Sequence, residues 1–262
     1  MFDPNTHIYH CGGEYTLATS DVIELNGLSD FGSVPSANLI FAGHRGSAVH
    51  VAIPAYESEE GVREAVALYE QLHQVKVWEE VEERMEGYYN FRKEHEVRLV
   101  GKPEKSRVFR HEGTEQLIGT TIDFTAFVDG VLTVIDIKTC HPHYGEKMKQ
   151  LRLKWLLQVQ SYVEALEADE DFWEELLLKP RIAAKAVLHL HPEAGKVRGK
   201  APAGFKYYEF PEDAQYGWDS AIRMARMKLA SGYKLSSKVP DKMALKTRAE
   251  LAELPEEDRC IF

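Results

Sequence analysis

Two β-rich runs that meet at Asp129-Gly130 constrain the fold of this chain more than any other stretch. Residues 118–139 read IGTTIDFTAFVDGVLTVIDIKT. An Asp-Gly pair between such runs is the strongest short-range signal for a two-residue type I′ turn, whose central positions both need positive φ. With 129 and 130 as the turn, Val128 faces Val131, and counting outward sets Asp123 directly opposite Asp136. Their Cβ atoms would then lie about 5 Å apart on one face. Lys138 shares that face, because strand side chains alternate with period two. Like charges opposite each other weaken a hairpin, so something positive is expected between them. A divalent cation held by both carboxylates, with a lysine beside it, meets that need and describes a site for hydrolysing phosphodiesters. The plainer alternative is a solvated acidic hairpin in which Lys138 only neutralises an aspartate. Ile122, Phe124, Val134, Ile135 and Ile137 weigh against it, since they mark buried strands and a buried carboxylate without a partner is costly.

At 262 residues the chain can bury a full core as one elaborated domain or two small ones. The expected division is an N-terminal hairpin and helices over 1–92, a core over 93–233 and a charged tail over 234–262, integrated into one domain. No apolar run approaches the roughly 18 residues of a membrane span, and the N-terminus lacks a signal pattern. The three cysteines (Cys11, Cys140, Cys260) show no CxxC spacing, which argues against a disulfide framework, a zinc ribbon or a four-cysteine cluster. A reducing, intracellular compartment, the cytoplasm, is therefore expected. The net charge of −10 counts against a protein that coats nucleic acid but not against local binding, which depends on where the bases lie. They cluster at Arg92/Lys93/Arg98, at Lys102/Lys105/Arg107/Arg110 in the next loop, at Lys147/Lys149/Arg152/Lys154, and at Lys196/Arg198/Lys200/Lys206.

Along the chain, 7–18 reads as a hairpin around Gly12-Gly13, and Thr19 or Ser20 caps a helix starting at Asp21. A second helix is predicted over 36–53, ended by Pro54, and apolar spacing marks two more at 60–74 and 77–91. Strands follow at 95–100, 116–128 and 131–138. Then come a helix at 146–168, a helical piece at 170–178, strands at 182–190 and 205–210, and a helix at 212–231. That order describes a mixed sheet with helices on its faces, of α/β or α+β type.

Asp123 and Asp136 supply hard oxygen ligands for Mg²⁺ or Mn²⁺. Such an ion polarises a phosphate oxygen and acidifies a bound water, while Lys138 positions that water or stabilises the transition state. The Ile137 backbone carbonyl, between the two, is a further candidate ligand. Gln158 and Tyr162 are spaced to share a helix face. Glu96 alternates with Arg98 on the face opposite Val97 and Leu99.

The sequence also resembles the PD-(D/E)XK nuclease superfamily, and more narrowly its RecB-like and phage exonuclease branch. The residues that carry the likeness are Gly119 with Asp123, Asp136-Ile137-Lys138-Thr139, Gln158 with Tyr162, and upstream Arg45-Gly46-Ser47-Ala48-Val49-His50. Ile122 stands where the motif has proline. The resemblance implies a restriction-endonuclease-like core with N-terminal helical elaboration. It implies His50, Asp123, Asp136 and the Ile137 carbonyl as metal ligands, with Glu96 as an extra ligand placed as in some relatives. Lys138 would be catalytic, and Gln158 and Tyr162 would line the site and touch DNA.

The expected protein is a Mg²⁺- or Mn²⁺-dependent DNase, an exonuclease in recombination, repair or phage DNA metabolism. Arg45, Lys147, Lys149, Arg152 and Lys154 would hold the phosphate backbone without reading sequence. Tyr144 and Trp155 are candidates to stack on an unpaired end, although core packing is the favoured reading for Trp155. A recombination or single-strand-annealing protein is the expected partner besides DNA, and no membrane. An endonuclease of the same fold and a non-catalytic DNA-binding module are the alternatives. A hydrolase for another phosphoester is a third.

Overall fold

The computed structural model describes residues 2–3, 8–11, 14–28, 36–140, 146–177, 181–191, 204–210, 214–233 and 235. The expected tail role, the loop bases Lys196, Arg198 and Lys200, and Tyr144 lie outside the described residues.

The N-terminal segment forms β1 (Phe2–Asp3), β2 (Ile8–Cys11), β3 (Glu14–Tyr15) and β4 (Leu17–Ala18), then α1 (Thr19–Leu25). Three helices follow, α2 (Ser36–Glu57), α3 (Val62–His73) and α4 (Trp78–Glu94). Next come β5 (Val97–Val100), β6 (Lys105–His111), β7 (Gln116–Ile122), β8 (Phe124–Val128) and β9 (Val131–Lys138). The chain closes with α5 (Glu146–Glu167), α6 (Glu170–Leu176), β10 (Ala184–Leu190), β11 (Phe205–Glu209) and α7 (Ala214–Ala230).

The central sheet has the order β11-β10-β9-β8-β5, with β9 and β10 parallel and the other neighbours antiparallel. Helix α5 lies in the crossover between the two parallel strands. The α/β class expected from the element order is what the structure has. Ile135 and Ile137 of β9, with Phe124, Ala126, Leu188 and Leu190, pack against Ala48, Val49, Ile53 and Val81 of α2 and α4. Leu132 and Val134, on the opposite face, join Leu157, Tyr162 and Leu166 of α5 and Trp218 and Ile222 of α7. Period-two alternation in β9 therefore sends Asp136 to the α5 side.

The hairpin register is the expected one: Val128 pairs with Val131, and the ladder runs to Phe124 opposite Ile135. Asp129 (φ 49°) and Gly130 (φ 81°) are both left-handed, as a type I′ turn requires. The expected single strand over 116–128 is instead two. β7 belongs to a second sheet, β4-β7-β6, and the chain changes sheets at Asp123, which lies in neither strand. The basic stretch read as a loop is strand β6, antiparallel to β7 from Lys105–Ile122 to His111–Gln116. Pattern alone hid it, because KSRVFRH carries one apolar residue on each face, too few to mark a period.

Two helix boundaries also differ. Pro54 sits inside α2, which runs on to Glu57. Proline removes one N–H and crowds the carbonyl four residues back, here that of His50. The last turn persists because Ile53 and Ala55 are buried and both Ser58 N and Oγ donate to the Pro54 carbonyl, at 2.9 and 2.8 Å. Helix α1 starts at Thr19 rather than Asp21 because Asp21 reaches back and accepts the Ala18 N–H at 3.0 Å. Thr19 is thereby free to act elsewhere, its hydroxyl lying 3.0 Å from Ser161 Oγ on α5.

Helix α4 is started by a side chain from its neighbour. Glu70 Oε1 on α3 accepts the N–H groups of Val77 (2.8 Å) and Trp78 (3.0 Å). These hydrogen bonds, the Val77 one foremost, hold the Glu70 carboxyl below its usual range, with Lys76 assisting. A carboxyl depressed on folding stabilises above its unfolded pKa of about 4.3 and loses that contribution as pH falls through the folded value. Glu70→Ala is therefore expected to cost about 1 kcal/mol at neutral pH, the size of a lost helix cap. Its denaturation midpoint should converge with that of wild type in acid.

Candidate active site

Asp123 sits where β7 peels away from the central sheet, and that position gives it its contacts. Continued by one more pair beyond Phe124–Ile135, the β8–β9 ladder would set Asp123 opposite Asp136. It ends first, and the Ile137 N–H is instead taken by Asp123 Oδ2 at 2.6 Å. The two aspartates still meet, but through Tyr162 rather than as ladder partners. The Tyr162 hydroxyl lies 3.2 Å from Asp123 Oδ1 and 3.1 Å from Asp136 Oδ1, and it accepts from Gln158 Nε2 at 2.8 Å. Lys138 Nζ reaches Asp136 Oδ1 at 2.7 Å and Gln158 Oε1 at 3.0 Å. The positive group expected between the carboxylates is thus in place on the Asp136 side.

On the Asp123 side the chain supplies His50 from α2, its Nε2 3.7 Å from Asp123 Oδ2. His50 Nδ1 contacts Glu104 Oε1. Glu104 lies in the β5–β6 connection at φ 55°, and its N–H donates to the Asp123 carbonyl at 2.9 Å. Ligand atoms of His50, Glu104 and Asp123 all fall within 4.8 Å of one another. Glu104 is the residue that sequence reading missed. Its one signal is an acid isolated within the basic run GKPEKSR. Glu96, the acid expected to join, is exposed at the other end of β8, its N–H on Asp129 Oδ1 at 2.8 Å. It is not part of this group, because β5 pairs Val97 with Val128 and so carries Glu96 toward the turn.

The electrostatics follow from burial. Asp136 is 0% exposed, and desolvation pushes it up to about 6 although Lys138 pulls the other way. Desolvation likewise raises Asp123, against the pull of His50. Burial works against charge on His50, but Asp123 and Glu104 overcome it and push the imidazole up to about 9. Lys138 also stays charged, since Asp136 and Asp123 outweigh its desolvation and lift it above the usual lysine range. Burial, reinforced by both aspartates, keeps the Tyr162 phenol protonated.

Gln158 and Tyr162 are one turn apart on α5, and Lys154 is one turn before them on the same face. Burial and the nearby Lys138 charge pull Lys154 below the usual lysine range. Lys149 and Arg152 are exposed on α5; Lys147 lies in that helix too, its side chain outside the described residues. Arg45 does not present its guanidinium to solvent. It is 6% exposed and its Nη1 pairs with Glu80 Oε2 at 2.9 Å, beside Arg84. Trp155 is core, 1% exposed and packed against His189 and Tyr208, so it offers no ring to an unpaired base.

Fold and site together define an α/β protein with a lysine-bearing carboxylate cluster at the point where one sheet gives way to another. A family model for the PD-(D/E)XK nuclease superfamily matches residues 26–237, and the chain belongs to that superfamily. No curated protein is significantly similar in sequence. The solved structure titled "Crystal structure of SSO0001" is 14% identical, covering 74% of this chain and 77% of that one at a TM-score of 0.31. That overlap is too low to bear on function.

Proposed function

We propose that the protein hydrolyses DNA phosphodiester bonds with Mg²⁺ or Mn²⁺, as an exonuclease of the RecB-like branch serving recombination, repair or phage DNA metabolism. The observation that carries this reading is the convergence of Asp123, Asp136, Glu104, His50 and Lys138 on one corner, in which the two aspartates are buried and Glu104 is exposed. Asp136 Oδ2 is buried there with no hydrogen-bond partner among the described residues. An orphaned carboxylate oxygen beside a set of oxygen and imidazole donors fits a hard divalent cation. His50, Glu104, Asp123 and Asp136 would hold it, with the Ile137 carbonyl. That carbonyl points to the same strand edge as the N–H that left the ladder. When bound, the cation neutralises charge on phosphate oxygens and acidifies a coordinated water.

The chain's own groups supply the rest. Lys138 is a fixed ammonium, held by Asp136 and Gln158, set to stabilise charge that develops on the phosphate and to orient the attacking water. Tyr162 stays neutral and can bridge both carboxylates by sharing its proton. Gln158 fixes Lys138 and Tyr162 at once, so its loss would loosen both. A recombination or single-strand-annealing partner belongs to the same reading. No described helix is long and apolar enough to cross a membrane.

The test is an end-labelled linear duplex and a covalently closed circle, each incubated with Mg²⁺, Mn²⁺ or EDTA, beside a Lys138→Ala variant. Progressive loss of the linear DNA alone, dependent on metal and on Lys138, is the expected result. Cutting of the circle would make the enzyme an endonuclease. Binding without cleavage of either would replace catalysis with a DNA-binding role.

A further inference from the structure

Strand register sets a row of basic residues leading away from Lys138. Lys138 pairs with His189 on β10, and His189 pairs with Lys206 on β11. Registered neighbours share a face, so the three stand side by side across the sheet on the α5 side. The next row, by the same register, is Asp136, Val187 and Tyr208. With strands about 4.8 Å apart, Lys206 is about 10 Å from Lys138, the rise of roughly three nucleotides along one strand of B-form DNA. The middle of the row is floor rather than contact: His189 is buried, its Nε2 2.7 Å from the Cys140 carbonyl oxygen and its ring against Trp155. The exposed positions are Lys206 at the sheet edge and Lys149 and Arg152 on α5, with Lys154 half-buried beside them.

Helix α5 completes that edge. The Arg152 guanidinium stands 5.3 Å over the Tyr208 ring, which ties the first half of α5 to β11. Residues 147–163 contain no acid, and 147–154 contain four bases. On the opposite face of the sheet, α4 carries five glutamates within 79–86. In a chain of net charge −10, this positive surface is a local feature that adjoins the site. On the other basic side of the site two of the cations share one carboxylate. Lys105 and Arg107 both bond Asp169 Oδ2, at 3.1 and 2.7 Å, and Arg110 donates to the Glu115 carbonyl at 2.8 Å.

We propose that the phosphate backbone of bound DNA leaves the site toward the β11 edge, along a track formed by Lys154, Arg152 and Lys206. This inference rests on the DNA reading above and adds a direction to it. The β6 side, where Asp169 holds Lys105 and Arg107, lies off this track.

The experiment is a salt titration of binding to a short labelled duplex in EDTA, by fluorescence anisotropy, run beside the cleavage assay. It compares wild type, Lys206→Gln, the double variant Arg152→Gln/Lys206→Gln, and Arg107→Gln. Each phosphate contact removed should lower the magnitude of the log–log salt slope by about 0.9. The double variant is therefore expected to lose nearly 2 in slope and on the order of a hundredfold in affinity, while Arg107→Gln keeps the wild-type slope. Because Arg152 and Lys206 are exposed, the neutral substitutions leave the core untouched, and matching melting curves check this. A wild-type slope in the double variant, with wild type cleaving DNA, overturns the track alone. So does a loss confined to Arg107→Gln. A wild-type protein that neither binds nor cleaves DNA overturns the function on which the track rests.

Discussion

Asp123→Asn is expected to lower metal-dependent DNA cleavage about a thousandfold or more, roughly 4 kcal/mol of lost transition-state stabilisation, without unfolding the protein. Asp123 ties together His50, the Ile137 N–H and Tyr162. The amide keeps an oxygen for the Ile137 N–H and offers an NH₂ to the Tyr162 oxygen, so local geometry survives while the charge does not. The same substitution should raise the melting temperature of the metal-free protein. Burial lifts the Asp123 pKa, and a carboxyl raised on folding favours the folded state in acid and opposes it once pH exceeds the folded value. The gain is therefore largest at neutral pH and fades as pH falls. Calorimetric titration with Mn²⁺, cleavage rates and melting curves on one preparation test all of this. A variant that cleaves or binds Mn²⁺ as wild type does would remove Asp123 from the ligand set.

Gly119→Ala is the second large effect, and it concerns the first letter of the motif rather than its chemistry. A Cβ at 119 would overlap the Tyr9 ring near its attachment to β2, so the strand itself must shift. Tyr9 is fixed, its hydroxyl 2.8 Å from Thr121 Oγ1, and burial pushes its pKa up to about 12. Overpacking of this kind costs about 2 kcal/mol, a fall of roughly 5 °C in melting temperature for a chain this size. Because one contact causes the loss, Gly119→Ala combined with Tyr9→Ala should cost less than the sum of the two single changes. Strict additivity in that double-mutant cycle would assign the glycine to some other constraint.

Much of the site was legible because it is local. The Asp-Gly turn set the register of β8 against β9, and register with period-two alternation put Asp136 and Lys138 on one face. Helical spacing did the same for Gln158 and Tyr162. Glu104 was illegible because what brings it to Asp123 is the hydrogen bond from its backbone N–H across two strand ends, in a connection with no periodic pattern. Glu96 was misplaced for a related reason. Alternation says which face a residue takes but not which end of the strand lies near the site, and the β5–β8 pairing put that end at the turn.

The charged groups show the same division. Sequence showed four basic clusters, but a count of lysines and arginines carries no information on partners. Asp169, far along the chain, holds Lys105 and Arg107 of one cluster, and Glu80 holds Arg45 inside, whereas α5 keeps Lys149 and Arg152 exposed. The sequence by itself determined the hairpin, the helices and most of the strands, and the placing of Asp136 and Lys138 on one face, all of which depend on neighbours within a few residues. Tertiary structure alone decided the break at Asp123, the entry of Glu104, and the direction in which positive charge leads away from the site. Each of these depends on which strand edge or helix face a distant segment covers, and such pairings are set by burial of the whole core rather than by any local pattern.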